Sequence, residues 1–469
     1  MRFSDTNMKQ FLQKYRVPLM VTIAALFFLT AGLCHALLQN RDVYDAVGGV
    51  VKTYAVQHND DGSWYAYHVS EPFAKIRNDK LVVFDASHYN SIREYLYQSP
   101  LNINHCEYAF FPLFPLFWRA TGLSPIGICL LNIILFLAGV TVLLLLFKEK
   151  LTPWMALLTL CMPYLVIFAI PYSEALFFIA AAVGLYGLVR RRYWLFFLGF
   201  LLASMTRSAS NILLVAWLIT DLLLCLKQRE SWKQYLKNVA LHLAPVITGV
   251  IFVIIIQRLC GAPQWFQFVS SQETWGKEIT LPKWPFTDWS VEGKSVTWAL
   301  IYTLFIPALA WLATKLFTSL SHKESTIVNT DDNRQWQTAR LLSVLFFVGN
   351  IVLALFTQNG CMYSQARLLT CTPFFLFLVL DLACRPVPKV WRWVIAVCLV
   401  ATAVYCSKML LGADTLGCLI TLLLITLVFY HHWMPGWLRG TLLGITVALN
   451  IYWTAYLFNC FLNCGWVFT

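Results

Sequence analysis

The stretch PIGICLLNIILFLAGVTVLLLLF, residues 125–147, decides how the chain is to be read. It carries no charged side chain, and Arg119 and Lys148 flank it. As a helix it is long enough to cross roughly 30 Å of bilayer hydrocarbon. Similar runs recur at 18–38, 151–170, 172–189, 193–206, 208–226, 239–258, 296–317, 339–357, 366–383, 391–410, 414–430 and 437–458, which gives about thirteen expected segments by the ~20-residue criterion. The run 193–206 is too short to cross comfortably, and with 208–226 it is expected to form a broken or tilted pair. The chain is 59% hydrophobic and 12% charged, against roughly 25% charged in a soluble domain. Uniformly apolar runs do not fit a membrane barrel, whose strands alternate apolar and polar side chains. The fold class is therefore an all-α polytopic membrane protein.

A net charge of +12 invites a nucleic-acid partner, but the positive residues are not gathered in one patch. They sit in short loops between apolar runs, where membrane topology places them. With the N-terminus in the cytoplasm, about 21 of the 35 lysines and arginines fall on the inside. Acidic residues such as Asp42, Asp45, Glu71, Asp85, Glu107 and Glu174 fall outside, and an odd segment count leaves the C-terminus outside. The first run follows Arg2, Lys9, Lys14 and Arg16, yet it is too long for a signal-peptide core and lacks a small-x-small cleavage site, so an uncleaved signal anchor is expected. Two outside loops are long: 39–124, and 259–295 with Trp265, Trp275, Trp284 and Trp289 suited to the interface. The inside loop 318–338 is rich in Ser, Thr, Asn and Asp. Without repeats or low-complexity linkers, 1–469 reads as one integral membrane domain. Most of the 14 cysteines lie inside apolar runs and behave as small hydrophobes. Cys106, Cys260, Cys361, Cys460 and Cys464 fall outside the core, where a disulfide stays open.

Within the first outside loop, VVFDASHYNSIREYLYQ (82–98) reads as an amphipathic interfacial helix with Tyr89, Ile92 and Leu96 on the face of Asp85. Asp85 opens that helix, either as a cap or as a base that takes the proton of an attacking sugar hydroxyl. Next, NHCEYAFFPLFPLFWR (104–119) holds Pro112 and Pro115, three apart among aromatics. This spacing predicts an irregular segment at the interface rather than a regular helix, with His105 and Glu107 just before it. In PYSEAL (171–176), Glu174 opens a segment, favoured there by the helix dipole or available to orient a substrate hydroxyl. Arg207 interrupts the apolar stretch 193–226. An arginine at membrane depth is a functional candidate by default, and its donor fork suits phosphate oxygens. The alternative is an Arg207 paired with Glu174 or Asp85 to fix packing. Ser208, Ser210 and Asn211 add hydrogen-bonding groups beside it. Arg367, at the outer end of 366–383, follows the same logic, with snorkelling as the alternative. His88 stands one turn after Asp85, and no second ligand at metal spacing accompanies it.

Four motifs in order are similar to the PIG-V family, the GPI mannosyltransferase II group: Asp85-Ala-Ser-His-Tyr89, AFFPLFPL at 109–116, PYSEALF at 171–177, and Arg207-Ser208-x-x-Asn211. The likeness covers about the first 230 residues and is faint beyond, where Arg367 is suggestive. Phe84 stands where the family often has Trp, and Arg207-Ser208-Ala209-Ser210-Asn211 replaces an Arg-Ser-Asn-Gly run. The resemblance implies a GT-C fold with its active site at the outer membrane face. Residues 1–230 would be the catalytic module and 231–469 a variable C-terminal module. It also implies a polyprenyl- or dolichyl-phosphate sugar donor, transfer of mannose to a glycolipid or glycan acceptor with inversion, no cofactor, and Asp85 as the base. Arg207 and Arg367 would hold the donor phosphate, and His88, Tyr89, His105, Glu107, Tyr172, Glu174, Ser208 and Asn211 would contact substrate. A bacterial plasma membrane is expected ahead of the endoplasmic reticulum. Two other classes stay open: a transporter or flippase for lipid-linked sugars, and an O-antigen ligase or polymerase-like enzyme with a diphosphate donor.

Overall fold

A computed structural model describes residues 5–47, 53–58, 64–69, 71–100, 102–149, 151–277, 279–281, 294–320, 331–357, 364–385, 387–407 and 414–465. Trp284, Trp289 and Cys361 lie outside them. Among the described residues seven helices are long and apolar enough to cross a membrane: Val17–Leu37, Pro125–Leu146, Ser208–Gln228, Trp232–Leu259, Val296–Phe317, Arg334–Thr357 and Gly436–Leu462. Shorter apolar helices lie among them at Glu174–Val189, Tyr193–Thr206, Pro373–Ala383 and Thr415–Tyr430. Large aromatics such as Phe136, Phe168 and Phe178 interlock where these helices meet.

The run 151–170 is not one continuous helix. Pro153, Pro163 and Pro171 remove three backbone donors, and the chain breaks into a helix at Pro153–Leu157 and 3-10 turns at Leu158–Cys161 and Leu165–Ala169. Carbonyls freed in this way need donors when water is excluded. Two buried asparagines supply them. Asn450 Nδ2 donates to Leu160 O at 2.7 Å and Met162 O at 2.8 Å. Asn132 Nδ2 donates to Ile170 O at 2.7 Å and Tyr172 O at 3.0 Å. The second clip fixes the residues that lead into Glu174.

The helices Glu174–Val189 and Tyr193–Thr206 form a tight antiparallel hairpin around Arg190–Arg192. A Cβ on Gly199 would stand 2.3 Å from the backbone nitrogen of Gly184, so the two helices touch backbone to backbone. Because the helices have 16 and 14 residues, the start of the first and the end of the second arrive at the same level. Glu174 and Arg207 are therefore brought abreast.

The first loop is more ordered than its sequence suggested. Thr53–His58 and Trp64–Val69 pair as an antiparallel ribbon with Thr53 opposite Val69, so the chain is not wholly helical; both segments are rich in the β-branched and aromatic residues that favour strands. Pro112 and Pro115 do not produce an irregular segment. They flank the start of a regular helix, Leu113–Thr121, whose first turn has no intrahelical use for those N–H groups. The expected interfacial helix forms at Asp85–Tyr95, but Tyr89 on its apolar face is covered by Phe114, Trp118 and Ile128, so protein takes the place intended for lipid. The C-terminal helix also reaches this region: Asn459 Oδ1 accepts from Ala74 N at 2.7 Å, and Phe461 packs against Phe84 and Tyr172.

Gly199→Leu should wedge the hairpin open, destabilising the protein by about 1–3 kcal/mol or more and lowering its melting temperature in detergent. An unchanged melting temperature would show that the contact between Gly184 and Gly199 is not tight.

Candidate functional site

Four charged side chains from four parts of the chain alternate in sign. Asp85 is the first residue of its helix and follows Phe84, which adopts a left-handed φ of 51° unusual for a bulky side chain. Its carboxylate does not cap the helix. Instead Asp85 Oδ2 accepts from Arg367 Nη2 at 2.6 Å. Arg367 projects from the short helix Gln365–Thr370, entered through Ser364 at φ 60°. The Arg367 Nε lies 3.8 Å from Glu174 Oε1, and Glu174 also pairs with Arg207. Arg207 itself adopts an extended conformation between the helix Tyr193–Thr206 and the 3-10 turn Ser208–Asn211, so the expected break falls on it. The sequence Asp85–Arg367–Glu174–Arg207 thus forms one chain of opposite charges.

Side-chain exposures fall from 18% at Asp85 and 12% at Arg207 to 8% at Arg367 and 4% at Glu174. The two inner members are therefore dry and the two outer ones remain reachable. Removing one partner from such a pair leaves a dehydrated charge, at a cost of about 3–5 kcal/mol. The Arg367 guanidinium also sits 5.2 Å from the centre of the Tyr172 ring, a cation–π support beneath it. Glu174 therefore serves as the shared anion of two arginines as well as a helix N-terminal residue.

Beside Asp85 lies a second group. His88 stacks on Phe110 with ring centres 5.0 Å apart, and Trp275 meets it edge-on at 5.1 Å. Trp275 is fixed by its indole N–H, which donates to Cys106 O at 3.1 Å. Glu107 has a fully buried side chain, and His88 Nδ1 approaches its Oε1 at 3.8 Å. Neither Glu107 oxygen has a hydrogen-bond partner among the described residues. A stacked imidazole and an indole edge form the kind of flat, partly polar wall on which a sugar ring can rest.

The other expected contacts divide. Tyr89 is buried, and its hydroxyl shares a 2.8 Å hydrogen bond with Ser173 Oγ; burial pushes its phenol pKa up, so it supports the Glu174 turn as a neutral group. The Tyr172 hydroxyl sits against the Asp85 backbone. His105 is exposed, holds a left-handed φ of 62° and packs near Tyr108, away from the charge chain. Ser208 and Asn211 are half-buried in the 3-10 turn. The hydroxyl that shapes the break belongs to Ser210, which donates to Arg207 O at 2.6 Å. Cys260 and Cys464 are free thiols. Among the described residues no three His, Cys, Asp or Glu side chains gather closely enough to hold a metal ion.

No family model, no curated protein and no solved structure matches this chain.

One residue at the site carried no signal beyond its place in the second long loop. Lys277 is half-buried, with Asp85, Arg367 and Arg207 all within electrostatic reach. Desolvation lowers its pKa from the ordinary lysine value, Asp85 opposes that shift, and the two arginines add to it. A third cation thus lies within electrostatic reach of the acidic residue. The stretch 193–226 also hides a polar pair with no sequence signal: Asp221 within the apolar helix Ile212–Gln228 shares a 2.9 Å hydrogen bond with His242.

Isotope-labelled reductive methylation followed by NMR should find a Lys277 signal titrating below the ordinary lysine range. Arg207→Ala should move that titration upward and Asp85→Asn downward. A normal lysine titration that neither variant moves would place Lys277 outside the site.

Proposed function

We propose that this protein is an inverting membrane glycosyltransferase that moves a sugar, in the first instance mannose, from a polyprenyl-phosphate donor to a hydroxyl of a glycolipid or glycan. The likeness to the PIG-V family and a GT-C architecture of about thirteen membrane segments belong to the same proposal, as does a site on the extracytoplasmic face. The observation that supports it most is the alternating charge chain, with an accessible carboxylate at one end and an accessible guanidinium at the other, and Lys277 nearby.

The chemistry follows from that arrangement. The acceptor hydroxyl oxygen attacks the anomeric carbon, forming the new C–O bond while the bond from that carbon to the phosphate oxygen breaks. The proton goes to Asp85, and the electron pair leaves with the polyprenyl phosphate. Arg207, Arg367 and Lys277 stabilise the charge gathering on that phosphate. A single displacement at the anomeric carbon, with one carboxylate as base, inverts that centre and needs no covalent intermediate. In the resting state Asp85 is held by Arg367. An arriving phosphate competes for Arg367 and Arg207 and frees the carboxylate when donor is bound. Glu174 keeps the two arginines in register, while His88, Trp275 and Glu107 form the wall against which a sugar is positioned.

With purified protein in lipid and synthetic polyprenyl-phosphate mannose, Asp85→Asn should lower transfer per folded molecule by about 10²–10⁴-fold, while the melting temperature falls because Arg367 loses its counter-charge. Arg207→Ala should weaken apparent donor affinity more than acceptor affinity. Near-normal turnover in Asp85→Asn would discard the base assignment. Movement of donor lipid across the bilayer without any new glycosidic bond would favour a flippase instead.

A further inference from the structure

A cavity of about 520 Å³ lies among the helices at the end opposite Asp85. From Asn211 beside the charge chain to Lys227 at the cavity, 16 helical residues rise about 24 Å. Its volume falls within the range of roughly 300–1,000 Å³ typical of sites that enclose a ligand. Toward the membrane interior the walls are hydrocarbon, with Leu304, Phe347, Phe375 and Leu424 among them. At the other end four cations line it, Lys227, Lys315, Arg340 and Arg385, against one carboxylate, Asp381.

The polar end is built rather than incidental. Arg340 reaches Asp381 through Nε at 2.8 Å and Nη2 at 3.3 Å, and Arg385 pairs with the same carboxylate. Lys227 donates to Gln337 Oε1 at 3.0 Å, and Lys315 lies over the Trp311 ring at 5.6 Å. Lys227 and Lys315 are exposed at the rim, and Lys315 and Arg340 are near enough to Lys227 to repel it. Three positive charges therefore stand in excess where a dry hydrocarbon slot begins, and like charges so placed are stabilised by a bound anion. The wall is also locally rewound. Ile301–Phe305 is a π-helical turn just before Pro307, an irregularity that recurs at functional sites.

We propose that this cavity binds an anionic membrane lipid, its phosphate held between Lys227, Lys315, Arg340 and Arg385 and one hydrocarbon chain laid along the apolar walls. Neither half of the ligand suffices alone: inorganic phosphate lacks the chain, and a zwitterionic lipid brings a cation of its own to a cationic mouth. The site stands apart from the charge chain around Asp85 and does not depend on what that chain does.

The test is native mass spectrometry of the delipidated full-length protein, titrated separately with phosphatidylglycerol, phosphatidylcholine and inorganic phosphate. Phosphatidylglycerol should bind at least about ten-fold more tightly than phosphatidylcholine, a gap of about 1.4 kcal/mol, and inorganic phosphate should not bind. The double variant Lys227→Gln/Lys315→Gln, at exposed positions, should remove that preference while melting normally. Arg207→Ala, at the far end, should leave it intact. A photoactivatable acyl chain should crosslink to the segments carrying Leu304, Phe347 or Phe375. Equal binding of the two lipids, an undiminished preference in the double variant, or crosslinks confined to the outer helix surfaces would overturn the proposal.

Discussion

Charge held away from water must be neutralised by its neighbours, and around Asp85 that requirement is met by a run of four side chains of alternating sign. Arg367 is the keystone. It bonds Asp85 on one side, reaches Glu174 on the other and rests on the face of Tyr172. Each member compensates the next, so none can be removed without exposing a dehydrated partner. A run of this kind is stable at rest and still responsive, because an incoming anion can take the arginines and return negative charge to the carboxylates. That property separates a prospective active site from a packing device. It also explains why two acids and three cations can share a confined space without collapsing into inert pairs.

The surrounding fold can be understood as what holds that run in register. A glycine-to-glycine contact brings two short helices close enough to set Glu174 beside Arg207. Asn132 and Asn450 satisfy carbonyls left open where the chain departs from helical geometry, which lets a non-helical segment persist among apolar helices and deliver Tyr172 and Glu174. Arg367, Lys277 and Phe461 come from the second half of the chain, so the site is not confined to residues 1–230.

Sequence was most legible where a physical rule acts locally. Length and apolarity marked most helices within a few residues, and Arg207, costly at membrane depth, fell at the break where it was expected. Asp85, Glu174, Arg207 and Arg367 were all chosen from sequence, but their order of pairing was not, because pairing depends on contacts between segments far apart in the chain. The prolines depart from expectation at two places, in opposite directions. At 151–170 overall apolarity masked their breaking effect, whereas at 112 and 115 their tolerance in a first helical turn was overlooked. His105 was chosen for its neighbours in sequence, yet its left-handed backbone directs it elsewhere. Asp221 and His242 escaped notice because each looks like an isolated polar residue until the two helices are packed.

Two polar regions thus lie at opposite ends of one helical body, one with a balanced charge run and one with excess positive charge above hydrocarbon walls. The first carries the proposed chemistry, and its central claim is that one carboxylate drives one displacement. The most direct measurement is the anomeric configuration of the product formed from a β-linked polyprenyl-phosphate mannose, read by NMR of the purified glycan. A single displacement at the anomeric carbon, with Asp85 as base, gives the α-linkage. A β-linked product would contradict it, since retention requires a side chain, such as the Glu174 carboxylate, to attack the anomeric carbon first.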